Sequence, residues 1–123
     1  MSIPKPLALV VEDDQTQAEI FVTALSQAGY EVTHIDSGQA AIDYLNEHSP
    51  LLVLLDLHLP EVAGTAILQH IRQRKHLAHT RVMLATADPR LAETVRADSD
   101  LVLIKPVSFT QLRALAHRML PTE

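Results

Sequence analysis

The chain has 123 residues, a formal charge of −5, 47% hydrophobic and 20% charged residues, and no cysteine. One domain of this size encloses one core and buries about two-thirds of the surface its unfolded chain exposes. The missing cysteines exclude disulfides and thiolate metal sites, the acidic balance argues against direct nucleic acid contact, and no apolar run nears the roughly 20 residues of a membrane span.

The opening MSIPKP lacks the charged-then-apolar pattern of a secretion signal, so a cytoplasmic domain with no membrane partner is expected. The first apolar run, LALVV at 7–11, leads into Glu12, Asp13 and Asp14. Helical spacing follows over 15–28, with Ala18, Phe21, Val22 and Leu25 on one face and Gly29 as a C-terminal stop. Asp14 precedes this helix and reads as its cap. YEVTHI at 30–35 is a second strand, and Ser37 is placed to cap a helix over 37–47.

LLVLL at 51–55 reads as a strand buried on both faces, and it runs directly into Asp56. Ile67, Leu68 and Ile71 stripe a helix over 64–75. RVMLA at 81–85 is the fourth strand, followed by Thr86 and by Asp88-Pro89, an N-cap with proline at the first helical position. LVLI at 101–104 is the fifth strand, followed by Lys105-Pro106. Ser108 and Gln111 make a capping box for a last helix striped by Leu112, Leu115, Ala116 and Met119. There is no internal repeat or linker, so residues 1–123 form a single domain with an ordered core of approximately 5–120.

Five near-continuous apolar strands alternating with helices predict an α/β fold: a (βα)5 parallel sheet covered on both faces. Such sheets bind ligands beyond the carboxyl ends of their strands, and that end is where Glu12, Asp13, Asp56, Thr86 and Lys105 fall. Two carboxylates about 4 Å apart repel by about 4 kcal/mol at an effective dielectric near 20. A raised pKa, a nearby cation or a divalent metal would relieve this. Lys105 brings one positive charge to three or four acids, whereas carboxylate oxygens, a backbone carbonyl and waters suit Mg2+. A phosphoryl group could then sit on the metal, with Lys105 and the Thr86 hydroxyl at its oxygens. A carboxylate held there can itself become the phosphoryl acceptor.

Taken together, VVEDD at 10–14, LLDLHLP with Gly64 at 54–64, LATA at 84–87 and IKP at 104–106 resemble the receiver domain of bacterial two-component response regulators over essentially the whole chain. The resemblance implies a flavodoxin-like strand order, 2-1-3-4-5, and a phosphorelay function. It implies Asp56 as phospho-acceptor and Asp13 as a direct Mg2+ ligand. Glu12 would bind the metal through water, and the His58 backbone carbonyl would complete the protein ligands. Thr86 and Lys105 would bind phosphoryl oxygens, and the Lys105-Pro106 peptide would be cis. The partners would be a histidine kinase or phosphotransfer protein and an unknown output protein. The domain would catalyse only its own phosphorylation and dephosphorylation. It would be a stand-alone regulator or a module of a larger regulator or hybrid kinase.

Asp88 and the His58 side chain occupy positions that border the phosphoryl group in this family and tune its loss to water. Asp88 is also expected to cap the fourth helix. Two features depart from the family. Val102 stands where receivers usually carry Tyr or Phe, a ring that turns inward when the threonine moves. The stretch from Thr86 to Lys105 is also short, so the fourth helix or its loops are abbreviated. Both changes touch transmission, and Val102 leaves open a pseudo-receiver that binds a partner without phosphorylation. An aspartyl-phosphate phosphohydrolase would want an acid where His58 stands, and a flavin module would want a Ser/Thr/Gly-rich loop after the first strand. None of the seven histidines is spaced at i, i+4 on one helix face for a metal.

Overall fold

The computed structural model describes residues 4–121. Strands β1 (Leu7–Val11), β2 (Glu31–Ile35), β3 (Leu52–Asp56), β4 (Arg81–Thr86) and β5 (Leu101–Ile104) alternate with helices α1 (Gln15–Ala28), α2 (Gly38–Glu47), α3 (Gly64–Gln73), α4 (Pro89–Val95) and α5 (Phe109–Arg118). The strands form one parallel sheet in the order β2-β1-β3-β4-β5. Among the described residues, no helix is long and apolar enough to cross a membrane.

The strand period of two divides the core. Ala8, Val10, Leu52, Leu54, Met83 and Ala85 face one side, where α1 adds Phe21 and Leu25 and α5 adds Leu112 and Ala116. Leu9, Val11, Val53, Leu55, Val82 and Leu84 face the other, under Leu45 of α2, Ile67, Leu68 and Ile71 of α3 and Val95 of α4. Strands covered on both faces have no polar side, which is why β3 reads as an unbroken apolar run. β2 lies at the sheet's edge and is correspondingly only half-buried.

The expected caps form. Asp14, Ser37, Asp88 and Ser108 each accept a backbone N–H in the first turn of their helices, from Gln17, Ala40, Arg90 and Gln111. Gly29 ends α1 at φ 118, a left-handed conformation that glycine adopts without a steric penalty. At the Ser108 box only the serine half is made: Ser108 Oγ accepts from Gln111 N–H, and no reciprocal bond from the Gln111 side chain occurs among the described residues.

One boundary differs from the sequence reading. The expected helix over 64–75 ends at Gln73, Arg74 is extended, and a separate 3-10 turn spans Lys75–Leu77. That break lets Leu77 re-enter the core with 0% exposure. Asp56 and Thr86, read as following their strands, are the terminal residues of β3 and β4.

Candidate functional site

The parallel register carries the site residues to one end of the sheet. Val11 pairs with Leu55, so Glu12 emerges beside Asp56; Thr86 pairs with Ile104, so Lys105 emerges beside Thr86. The site therefore lies where β1 has β2 on one side and β3 on the other, the point at which the strand order reverses.

Glu12 and Asp56 are buried, at 1% and 3% exposure, and Asp13 beside them is exposed. One carboxylate oxygen from each of the three lies within 4.8 Å of the others. Lys105 Nζ stands 3.3 Å from Asp56 Oδ1 and 3.4 Å from Glu12 Oε1, serving both buried carboxylates at once. One ammonium cannot neutralise two carboxylates. Burial and the neighbouring Asp56 carboxylate push Glu12 up to about 7 from an ordinary 4.5, against the opposing pull of Asp14 N–H and Lys105.

The loop after β3 is held from both ends. His58 N–H donates to Asp56 Oδ1 at 3.1 Å, which fixes the carboxylate against the loop. Gly64 begins α3 so close to the strand end that a Cβ there would come within 2.8 Å of the Asp56 carbonyl oxygen and 2.7 Å of Leu57 Cα. Only glycine allows that approach, which accounts for Gly64 in the sequence pattern. The Lys105-Pro106 peptide is cis.

Thr86 is fully buried. Its Oγ1 accepts from Asp88 N–H at 3.0 Å and lies 3.0 Å from His58 Nε2. Asp88 thus combines two positions: its backbone holds Thr86 while its carboxylate caps α4. Val102 is half-buried and, like Leu91, packs against the apolar cluster beneath α2, α3 and α4. Two contacts at this end are not legible in the sequence. His34 Nε2–H donates to the Glu12 carbonyl at 2.8 Å, and the His58 ring reaches Thr86. Both join residues far apart in sequence, one on a strand and one in a loop, so no local spacing signals them.

Chemically, this end of the sheet offers a cluster of hard oxygen donors, one cation and one hydroxyl. Comparison with known proteins agrees in kind. Residues 8–117 match the response regulator receiver domain family. The polar-differentiation response regulator DivK of Brucella ovis is 34% identical over 79 residues, 64% of this chain and 64% of that protein. The match thus spans under two-thirds of that relative's length. Among solved structures, the signal receiver domain of a signal transduction histidine kinase from Syntrophus aciditrophicus is 30% identical with a TM-score of 0.82, covering 96% of this chain and 95% of that one. The chemotaxis response regulator CheY4 of Vibrio cholerae shares the fold, with a TM-score of 0.85 at 21% identity over 94% of this chain and 99% of that one.

Proposed function

The chain belongs to the response regulator receiver domain family of two-component signalling, and from that premise we propose that Asp56 accepts a phosphoryl group from a histidine kinase or phosphotransfer protein in a Mg2+-dependent reaction. The observation that carries this reading is the convergence of Glu12, Asp13 and Asp56 within 4.8 Å, with Lys105 against the two buried acids. Three carboxylates and one ammonium leave excess negative charge, and oxygen-only donors suit a hard divalent ion. Asp13, Asp56 and the His58 carbonyl would hold Mg2+ directly, and Glu12 would hold it through water. When bound, the metal supplies charge neutralisation and orients the donor's phosphoryl oxygens.

The chain's own residues divide the remaining work. An Asp56 carboxylate oxygen attacks phosphorus, forming an acyl phosphate as the phosphorus–nitrogen bond of the donor phosphohistidine breaks. The departing imidazole takes a proton from solvent. Lys105 moves its charge from the Asp56 carboxylate to the new phosphoryl oxygens, and Thr86 donates its hydroxyl proton to another of them. Water attack on phosphorus later returns the carboxylate and inorganic phosphate. Asp88 and His58 border that water's path and set its rate. No separate substrate is turned over; the phosphorylated and free forms differ in the contact they offer an output protein.

Incubation with acetyl phosphate and Mg2+ tests this reading by intact mass. One phosphoryl group is expected on the wild type and none on Asp56→Asn, whose amide is neither a comparable nucleophile nor an anionic ligand. Phosphorylation of Asp56→Asn at the wild-type level would move the acceptor elsewhere. An unmodified wild type would favour the phosphorylation-independent binding module that Val102 leaves open.

A further inference from the structure

The Thr86 hydroxyl has one proton to give. Asp88 N–H already occupies the oxygen as a donor, at 3.0 Å. His58 Nε2, also at 3.0 Å, is the acceptor that the described residues offer that proton. The satisfied arrangement is therefore Thr86 O–H donating to Nε2, with the ring proton on Nδ1. A phosphoryl oxygen on Asp56 is a second acceptor for the same proton, and Thr86 cannot serve both.

We propose that His58 is a positioning residue that holds Thr86 in the unphosphorylated protein and is released on phosphorylation, so that its ring and the β3–α3 loop carry the readout that β5 lacks. The proposal rests on Asp56 being the acceptor. Three observations place the readout in this loop. His58 is joined to the acceptor by its backbone and to Thr86 by its ring, so both events reach one residue. The His58 side chain is exposed, so a released ring can turn into solvent or onto a partner without disturbing the core. Downstream, Gly64 is seated against Asp56 and Leu57, which confines displacement to residues 58–63. Val102, in contrast, is a half-buried aliphatic with no polar atom to sense Thr86.

Titration with beryllofluoride, a phosphoryl mimic, in excess Mg2+ tests this by NMR of amide and imidazole nitrogens. The His58 ring signals should move together with the Thr86 amide, and amides 58–63 should move more than amides 100–104. Two variants separate the hydrogen bond from simple packing: His58→Ala removes the ring, and His58→Phe keeps a ring without an acceptor. Both should bind beryllofluoride about two- to fivefold more tightly than the wild type, since each removes one partly solvated competing hydrogen bond. An unmoved His58 ring alongside a shifted Thr86 amide overturns the proposal, as does wild-type affinity in both variants. A wild type that neither binds beryllofluoride nor accepts phosphate overturns the acceptor reading beneath it.

Discussion

Glu12 is a carboxylate buried to 1% exposure beside a second buried acid, with one lysine between them. Burying charge is costly unless it is paired, and the raised affinity of Glu12 for its proton expresses that cost. The folded protein keeps this proton over a range, about 4.5 to about 7, in which the unfolded chain releases it. Its contribution to metal-free stability is therefore fully present below 4.5 and lost as pH rises through about 7. At about 1.4 kcal/mol per pKa unit the loss is on the order of a few kcal/mol. Urea unfolding without divalent metal at about pH 5 and about pH 8 should show this loss in the wild type, and Glu12→Gln should lack that component. Equal pH dependence in the two proteins would contradict it. At this scale the sequence is informative where chemistry is unusual: Asp56 after five apolar residues, and Lys105 before proline, stand out from their surroundings. The His58–Thr86 bond does not stand out, because neither residue type is unusual in a loop and their meeting depends on the register of two strands.

Among the described elements, α4 is the shortest α-helix, seven residues followed by one 3-10 turn over Arg96–Asp98. Its abbreviation was legible as a short interval between Thr86 and Lys105, but what secures the shortened segment was not. Arg72 of α3 does so. Its guanidinium donates to the carbonyls of Asp98 at 2.7 Å and Thr80 at 3.1 Å, and pairs with Asp100 Oδ2 at 3.1 Å. The same Asp100 oxygen accepts Val82 N–H at 2.7 Å, tying the entry of β5 to β4. The break at Arg74 belongs to this region as well. The apolar stripe of α3 stops at Ile71, because its next positions are Arg74 and Lys75, and the 3-10 turn then returns Leu77 to the core, a re-entry that helical periodicity does not register. Three hydrogen bonds from one planar fork should make Arg72→Ala cost about 1–2 kcal/mol. Arg72→Lys should recover less than half of that, because an ammonium cannot reproduce the fork. An unchanged urea midpoint in Arg72→Ala would show that the segment is secured by its apolar contacts alone.

For the whole molecule, alternating apolar runs and helical stripes were enough to specify (βα)5, since a parallel sheet buried on both faces leaves that pattern in its strands. The order of those strands is not contained in the pattern; it followed from the resemblance carried by the motifs, and the observed order is the same. Topology then does what no single element can, bringing the ends of β1, β3, β4 and β5 to one edge so that residues from Glu12 to Lys105 share a site. The role proposed for this site is to make Asp56 a phosphoryl acceptor, with Asp13 and Asp14 nearby but in other roles. Borohydride reduction of an acyl phosphate converts the modified aspartate to homoserine, which fragmentation mass spectrometry locates to a residue. After treatment with acetyl phosphate and Mg2+, homoserine should appear at position 56 and at no other aspartate. Homoserine at position 13 or 14, or none in protein that has gained phosphate, would contradict that role for Asp56.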